Sequence, residues 1–334
     1  MNFRKTKAVI MAVLMIVIMT SCGPSVKSYG SQDYIMSMPF KEGFRILQLN
    51  DIHLGNKDDR QKQYDFIELT VNDADADLIV LCGDLFTFAD KAVVKEFCAW
   101  MDSFGIPWSV TFGNHDEQCY YSIDWLTSYL NNFGSNCMFK DIQDDDIYGN
   151  ANYAINLTDG DEIKYQVIIM DSNRYTFGDY WGYDCIREDQ IDWYERIVKQ
   201  AESDNGGKTV PSIAFFHIPF PEFETAWNEA AEGNPDAVLI HGEQNEPVSC
   251  PLANSGLFDR MLSLGSTKAV CCAHDHVSNF CICYKGIYLS YGINSDDRIY
   301  CEPDMMGGKV MVLGSDGNVG FDEIYHTYGE VKQK

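Results

Sequence analysis

The sequence predicts an α/β fold, and three observations lead to this class. Short apolar runs end abruptly at a polar residue or a glycine, as buried strands do. Amphipathic patterns of helical period lie between these runs, and such alternation indicates βαβ units and a sheet with substantial parallel character. The chain has 334 residues, of which 46% are hydrophobic, and this is ample for a large buried core.

The strands are predicted from the apolar runs, taken in chain order. Six runs end at a polar residue or a glycine: 44–49, 78–82, 108–112, 165–170, 212–216 and 267–272. Two later runs, 286–290 and 309–313, are predicted as further strands that could close a second sheet. No internal repeat or second linker interrupts this order, so residues 41–330 are predicted to form one domain.

Three helices are predicted from apolar stripes of period 3.6. The first follows Asp90, whose side chain would cap it, and stops at Gly105. The second carries its stripe from Ile191 to Ala201. The third starts near Ser255 and ends before a glycine at position 265.

The N-terminal segment predicts export. Arg4, Lys5 and Lys7 precede an apolar stretch over 8–19, which is short for a membrane span of about 20 residues, so residues 1–21 are predicted to be a signal peptide. Positions 19–23 read Met-Thr-Ser-Cys-Gly, which resembles a bacterial lipoprotein cleavage box. Cys22 would then carry lipid and residues 22–40 would form a flexible tether that anchors the protein outside the cytoplasm. The alternative is an ordinary cleaved signal peptide and a secreted protein.

Composition narrows the class of substrate. The formal net charge is −25, from 50 acidic and 25 basic residues, and this argues against extended nucleic acid as a partner. A small or locally bound substrate fits better. The 12 cysteines are not needed as a disulfide scaffold in a chain of this length, and most are expected to be buried thiols.

The candidate functional residues follow the predicted strands. Each lies just beyond the end of a strand, and ligands bind in α/β sheets at the crevice outside the carboxyl ends of strands. These residues are Asp51, His53, Asp84, Asn114, His217, His274 and His276. Carboxylate oxygen and imidazole nitrogen together suit zinc, manganese or iron better than calcium. The sequence therefore predicts a cage for two transition-metal ions, with Asp84 as the bridge because Gly83 lets the backbone turn sharply.

The order of these motifs resembles the calcineurin-like metallophosphoesterase superfamily. The motifs are D-x-H at Asp51, G-D at Gly83, G-N-H-D at Gly113, a lone His217, and H-x-H at His274. Segments 218–222, 246–251 and 254–258 are similar to the single-domain branch that looks like purple acid phosphatases. The resemblance implies a four-layer α/β/β/α sandwich of two mixed sheets flanked by helices.

The resemblance also implies roles for the individual residues. One metal would be held by Asp51, His53, Asp84 and His276. The other would be held by Asp84, Asn114, His217 and His274. A metal-bound hydroxide would attack phosphorus, His115 would protonate the leaving oxygen, and Asp116 would orient His115 from behind.

Two positions depart from the family pattern. Ala273 stands where glycine usually precedes the H-x-H pair, and Leu85 to Phe88 replace the acidic or basic residue that often follows G-D. No tyrosine lies between Asp84 and Asp90, so a purple ferric-tyrosinate centre is not expected. An aromatic loop with Tyr180, Trp181 and Tyr183 is a candidate wall of the substrate pocket or a cover of the core beside it.

The hypothesis is thus a phosphoester hydrolase, either phosphatase or phosphodiesterase, that takes a small phosphoester. Two alternatives stay open. One is a non-catalytic surface binding module on the same fold, and the other is a nucleotidase or nuclease of the same superfamily.

Overall fold

The computed structural model describes residues 35–331, except 58, 135, 142–145 and 177–180. The predicted signal peptide, Cys22 and the first part of the tether therefore lie outside the described residues. The strands are β1 (Ile35–Pro39), β2 (Phe44–Leu49), β3 (Leu78–Cys82), β4 (Trp108–Thr111), β5 (Tyr153–Asp159), β6 (Glu162–Ile169), β7 (Tyr175–Thr176), β8 (Gly182–Tyr183), β9 (Ser212–Phe215), β10 (Ala237–His241), β11 (Thr267–Cys272), β12 (Cys281–Tyr284), β13 (Ile287–Tyr291), β14 (Gly307–Leu313) and β15 (Val319–Tyr325). The helices are α1 (Arg60–Ala74), α2 (Lys91–Asp102), α3 (Ile123–Asn131), α4 (Glu188–Asp204), α5 (Glu222–Ala231), α6 (Leu257–Leu264) and α7 (Tyr328–Val331).

Two mixed sheets form the centre of the fold. Sheet A has eight strands in the order β1-β5-β6-β9-β11-β13-β12-β10, and sheet B has five in the order β15-β14-β2-β3-β4. Strands β2, β3 and β4 are parallel neighbours in sheet B, while β6, β9, β11 and β13 are parallel neighbours in sheet A. Strands β7 and β8 pair as a separate two-stranded ribbon.

The alternation of side chains along the strands explains why the two sheets stack. In β9, Ile213 and Phe215 join the cluster that also contains the sheet B strands, whereas Ala214 joins the cluster with α4, α5 and α6. Cys271 and Cys272 of β11 divide in the same way. Successive residues of a strand face opposite sides, so sheet A buries one face against sheet B and the other against helices. Helix α1 covers sheet B, and the predicted four-layer α/β/β/α sandwich is confirmed.

The predicted elements agree closely with the structure. Three of the strand predictions, 44–49, 78–82 and 267–272, match the observed bounds. Helix α2 begins after Asp90, whose carboxylate accepts hydrogen bonds from the backbone N–H groups of Ala92 and Val93. Helix α1 was missed because its buried face includes the polar residues Gln63 and Thr70, which weaken the apolar stripe.

The tether prediction was wrong at its C-terminal end. It extended to residue 40, but Ile35–Pro39 form strand β1 and pair in parallel with β5 at the edge of sheet A. The backbone groups of this segment form their hydrogen bonds with strand β5. Because β5 lies more than 100 positions further along the chain, the local sequence does not reveal this pairing.

The 11 cysteines of the described residues are free thiols, which agrees with the prediction that no disulfide scaffold is needed. Only five of them are fully buried, so the expectation that most would be buried was wrong. In the described part of the chain, no helix has the length and hydrophobicity needed to cross a membrane.

Candidate metal centre

The predicted ligands converge because both sheets contribute strand ends to the same place. Asp51 and His53 follow β2, while Asp84 follows β3. The loops after these two strands are joined by main-chain hydrogen bonds from Asp51 N to Gly83 O and from His53 N to Asp84 O. From sheet A, the His274 N–H donates to Asp51 Oδ2 at 3.3 Å and so connects the two sheets at the site.

The acidic and histidine side chains form two buried groups. The Asp51 group consists of Asp51, His53 and His276, and the Asp84 group consists of Asp84, His217 and His274. Within each group, one potential ligand atom per residue lies within 4.8 Å of the others. This spacing is what two neighbouring metal positions require, and the two groups fit a dinuclear metal centre.

Asp84 belongs to the second group but also faces the first. Its Oδ2 is 3.1 Å from His217 Nε2 and 3.9 Å from His53 Nε2. Its other oxygen, Oδ1, accepts a hydrogen bond from the backbone N–H of His115 at 2.7 Å. Because Oδ1 is engaged by the main chain, Oδ2 is the atom directed at both groups. The role of Asp84 as the bridge between two metals stays a prediction.

Some buried polar atoms of the site lack the partner that burial normally demands. Asn114 Nδ2 donates to Tyr175 Oη at 2.8 Å, but Asn114 Oδ1 accepts no hydrogen bond from the described residues. The two ring nitrogens of His274 also have no hydrogen-bond partner among the described residues. Buried acceptors are almost always satisfied, so these atoms fit ligands of a cation.

Three of the ligand histidines are oriented by the nitrogen that points away from the site. His53 Nδ1 lies 2.8 Å from Thr87 Oγ1, His217 Nδ1 lies 3.0 Å from Cys82 O, and His276 Nδ1 lies 3.0 Å from Tyr300 O. A carbonyl oxygen can only accept, so Cys82 and Tyr300 fix the proton on Nδ1 of His217 and His276 and leave Nε2 free, whereas the Thr87 hydroxyl can donate or accept. Nε2 of each ring faces a carboxylate of the site: it lies 3.9 Å from Asp84 Oδ2 in His53, 3.1 Å from Asp84 Oδ2 in His217 and 3.5 Å from Asp51 Oδ1 in His276.

The backbone of the site is strained. Of the eight non-glycine residues with positive φ in the described part, four are predicted ligands: Asp51, His53, Asp84 and His274, with φ of 54°, 49°, 51° and 83°. This conformation costs about 1–3 kcal/mol per residue and tends to cluster at functional sites. Gly83, with φ of 82°, precedes Asp84 in the same turn. Strain at four ligands indicates that the fold holds them where local preference would not.

The charges of the site favour cations. Burial lowers the pKa of His53 to about 4 and that of His274 to about 3, which keeps both rings neutral and able to bind a metal. Burial disfavours the charged form of His217, but the neighbouring Asp84 and Asp51 raise its pKa to about 10.

Burial and neighbouring charges also oppose each other in setting the pKa values of the two carboxylates, Asp51 and Asp84. Burial opposes ionisation of Asp51, yet His276 and His217 hold its pKa below the usual value. Asp84 is likewise kept ionised by His217 despite its burial. Asp51 Oδ1 and Asp84 Oδ2 lie 3.9 and 3.1 Å from the same atom, His217 Nε2. Two buried anions this near to each other need positive charge beside them, and metal ions would supply it.

His115 is adjacent to the groups without belonging to either. Its ring packs edge-on against the ring of His53, with 5.1 Å between centroids, and the side chain is half-buried. His115 is thus next to the two groups, and its role as the acid stays a prediction.

The predicted role of Asp116 was wrong. Its carboxylate is fully buried and accepts backbone hydrogen bonds from Asp84, Leu85, Phe86 and Gly113 at 2.8–3.0 Å. These bonds tie the loop after β3 to the loop after β4. The pKa of Asp116 is raised to about 7 by burial and by the charge of Asp84. Its two oxygens are thus occupied by main chain, and the residue at His115 Nδ1 is instead Gln118, whose Oε1 lies 2.9 Å away.

Several residues at the site were not identified from the sequence. No motif marks these residues, which are Thr87 beside His53, Tyr175 beside Asn114, Gln118 beside His115 and Tyr300 beside His276. The aromatic loop is partly correct: the Tyr183 ring packs edge-on against His274 at 4.5 Å.

The other two aromatic residues differ. Trp181 stacks on Tyr175 and is mostly exposed, while Tyr180 lies outside the described residues. Ala273, the departure from glycine, is accommodated, since its backbone N–H bonds to His217 O at 2.9 Å and the turn is made by His274 instead.

Comparison with known proteins gives a consistent match. Residues 44–278 match the sequence model of a family described as calcineurin-like phosphoesterase. A protein of Arabidopsis thaliana named probable inactive purple acid phosphatase 14 is 28% identical over 286 residues, which cover 74% of this chain and 69% of that protein. Phosphatase DCR2 of Saccharomyces cerevisiae is 26% identical over 281 residues, which cover 75% of this chain and 47% of that protein.

Among solved structures, a dimetal phosphatase from Danio rerio aligns with a TM-score of 0.52 and 13% identity, covering 86% of this chain and 100% of that one. At this identity the likeness concerns the fold. The sequence matches support the similarity to the branch of purple acid phosphatase-like proteins.

Proposed function

The chain belongs to the calcineurin-like phosphoesterase family, and we propose that it is a dinuclear metal-dependent hydrolase of small phosphoesters. One observation carries the proposal: Asp84 Oδ2 faces His217 at 3.1 Å and His53 at 3.9 Å, between two buried Asp/His groups. A shared carboxylate between two such groups is the arrangement that holds two metals close enough to contact one phosphoryl group.

The residues divide into two sets of four. Asp51, His53, Asp84 and His276 would hold one ion, and Asp84, Asn114, His217 and His274 would hold the other. This mixture of oxygen and nitrogen ligands suits zinc, manganese or iron. When bound, such ions supply Lewis-acid activation of the phosphoryl oxygens and of water.

His115 would transfer the proton to the leaving group. Its ring is beside His53, and its backbone N–H is bonded to Asp84 Oδ1, so its main chain is fixed relative to the bridging carboxylate. Since Nδ1 is occupied by Gln118, Nε2 is the nitrogen available to a departing alcohol oxygen.

The test is hydrolysis by the full-length chain, purified in detergent, stripped with a chelator and reloaded with zinc, manganese or iron. The substrates are aryl phosphate monoesters and diesters, assayed from about pH 5 to pH 9. We expect turnover that depends on reloading and is lost in Asp84→Ala, with metal content lowered in that variant. Absence of turnover with every metal across this range would refute the proposal.

A non-catalytic binding module is the second candidate, because the matching Arabidopsis proteins are named probable inactive purple acid phosphatases. The buried ligand set and the presence of His115 favour catalysis in this chain. The two functions are separated by measuring metal content beside turnover. A binding module would take up metal, show a thermal shift, and have no activity for His115→Ala to remove.

Nucleotides are a possible form of the small phosphoester. The net charge of −25 disfavours long nucleic acid, so a nuclease is the weaker alternative. Comparison of nucleoside monophosphates, cyclic nucleotides and DNA as substrates would distinguish a nucleotidase, a cyclic phosphodiesterase and a nuclease.

We also propose that the protein acts outside the cytoplasm, anchored by lipid on Cys22. Support comes from the basic residues, the apolar stretch over 8–19 and the sequence Thr20-Ser21-Cys22. Cys22→Ala is expected to prevent incorporation of labelled fatty acid and to release the protein from the membrane fraction. Membrane attachment and labelling that persist in this variant would contradict the anchor.

A further inference from the structure

We propose that Gln118 is the positioning residue that presents Nε2 of His115 to the leaving oxygen of the substrate. The inference rests on the proposed hydrolase function and goes beyond it, because it assigns to a neutral amide the task that the sequence had assigned to Asp116. The observation is the contact between His115 Nδ1 and Gln118 Oε1 at 2.9 Å.

Asp116 cannot take this task in the observed structure. Its two oxygens accept four main-chain hydrogen bonds from the loops after β3 and β4, all between 2.8 and 3.0 Å. Turning the carboxylate toward His115 would leave buried N–H groups without acceptors, which is unfavourable because these groups have also lost their hydrogen bonds to water. Gln118 is therefore the side chain that defines the far side of the His115 ring.

The main chain holds Gln118 in place independently of its side chain. The Gln118 N–H donates to His115 O at 2.8 Å, and the Phe88 N–H donates to Gln118 O at 3.1 Å. The first bond closes the turn from His115 to Gln118, and the second attaches it to the loop that carries Asp84. Because neither bond involves the amide, the side chain can be changed while the turn is kept.

The amide oxygen of Gln118 determines which nitrogen of His115 carries a proton. It can only accept, so the His115 Nδ1–H donates to it both in the charged ring and in the neutral one. The neutral ring then has its free lone pair on Nε2, on the side opposite to Gln118. The contact thus fixes both the orientation of the ring and the tautomer that can exchange a proton with substrate.

The proton transfer can be written in balance. As the bond between phosphorus and the leaving oxygen breaks, its electron pair stays on that oxygen and the Nε2 proton of His115 joins it, which yields a neutral alcohol. The attacking water supplies the new oxygen on phosphorus and releases a proton, and Nε2 can take up this proton again. Throughout the cycle, Nδ1 keeps its proton and its bond to Gln118.

A comparison of leaving groups tests this role. Nitrophenolate leaves without protonation, whereas a simple alkoxide requires a proton. With the metal-loaded full-length chain, Gln118→Ala and Gln118→Met should therefore lower kcat for an alkyl phosphate by roughly 10- to 100-fold and change kcat for 4-nitrophenyl phosphate much less. Gln118→Met keeps most of the side-chain volume but removes the amide acceptor, so it separates hydrogen bonding from packing. Gln118→Glu retains an oxygen at the same reach and should rescue most of the alkyl phosphate activity.

Two controls make the result specific. In the His115→Ala background, Gln118→Ala should cause no further loss, because the positioned group is gone. Gln200→Ala should leave the turnover of both substrates unchanged, because this side chain is at an exposed position of α4 and, among the described residues, bonds to Asp204 alone.

Several outcomes would overturn the inference. These are equal losses on both substrates, additive losses in the double variant, loss of bound metal, or failure of Gln118→Ala and Gln118→Met to fold, any of which would give Gln118 a structural role. An unaltered rate with both esters would also overturn it. If the unmodified protein hydrolyses neither ester, the proposed function fails instead, so the two failures are distinguishable.

Discussion

Gly113→Ala is predicted to disable the metal centre by a direct collision with Asp84, the proposed bridging residue. A Cβ atom on Gly113 would lie 2.2 Å from Asp84 Oδ1 and 2.5 Å from Asp84 N. Real Cβ contacts are essentially never shorter than 3.0 Å, so the carboxylate oxygen must retreat by at least 3.0 − 2.2 = 0.8 Å. The added methyl group therefore moves Asp84, the residue that we propose both metals share.

The surroundings of Asp84 prevent a harmless shift. Its Oδ1 accepts the His115 N–H at 2.7 Å and its backbone N–H donates to Asp116 Oδ2 at 3.0 Å, so moving it stretches two buried hydrogen bonds. Overpacking of this kind costs about 1–3 kcal/mol of folding free energy. A displacement of about 1 Å at a reacting centre lowers catalysis by about 100-fold. We expect a loss of this order in kcat/KM, with fewer than two metals bound per chain.

The assay combines metal analysis, phosphoester turnover and thermal unfolding. Gly320→Ala is the matched control, because Gly320 lies on strand β15, away from the site, and its Cβ would meet Val312 of β14 at ordinary distances of 3.8–3.9 Å. A Gly113→Ala protein that binds two metals and turns over like the control would refute the reasoning. Such a result would mean that Asp84 does not approach Gly113 as closely as the structure has it.

Three further predictions concern other parts of the molecule. Chelation should lower the unfolding temperature, since a ligand at 100 times its Kd stabilises the native state by about 2.7 kcal/mol. Thermal unfolding with and without chelator measures this, and Asp84→Asn should reduce the difference between the two unfolding temperatures. Tyr175→Phe removes the hydroxyl oxygen that accepts the Asn114 hydrogen bond and should weaken metal retention or activity about tenfold. Metal retention is measured by competition with a chelator and activity by phosphoester turnover, and unchanged values of both would contradict the prediction. Burial lowers the pKa of Lys309 from its usual 10.5, so the unfolded chain binds this proton more tightly. The stability of the unmodified protein relative to Lys309→Met should therefore rise as pH increases toward 10.5, which urea unfolding at several pH values would measure; a flat or falling difference would oppose this.

The strand ends and the ligands that follow them could be predicted because both depend on local pattern. Residues 44–49 and 267–272 are continuous apolar runs that stop before Asp51 and His274, and parallel strands of one sheet end at the same edge. The cap at Asp90 was equally local, since its carboxylate bonds to N–H groups two and three positions along the chain. Such features require no knowledge of how the sheets pack.

Features that join distant segments could not be predicted. Strand β1 exists because β5 offers it a parallel edge, and Tyr300 orients His276 through a loop that no motif identifies. The exchange of roles between Asp116 and Gln118 has the same origin. A carboxylate next to a histidine in sequence is a reasonable partner for it, but here the folded loops surround that carboxylate with main-chain N–H groups.

The sequence by itself thus determined the fold class, the ligand types and their positions after the strands, because periodicity and residue chemistry are local properties. Only the tertiary structure decided which atoms face one another. It directs Asp84 Oδ2 toward both Asp/His groups. It bonds the Asp116 carboxylate to backbone N–H groups and places the Gln118 side chain against the His115 ring. The physical reason is that the orientation of a buried polar side chain is decided by the hydrogen-bonding groups around it, and two stacked sheets bring these from opposite ends of the chain.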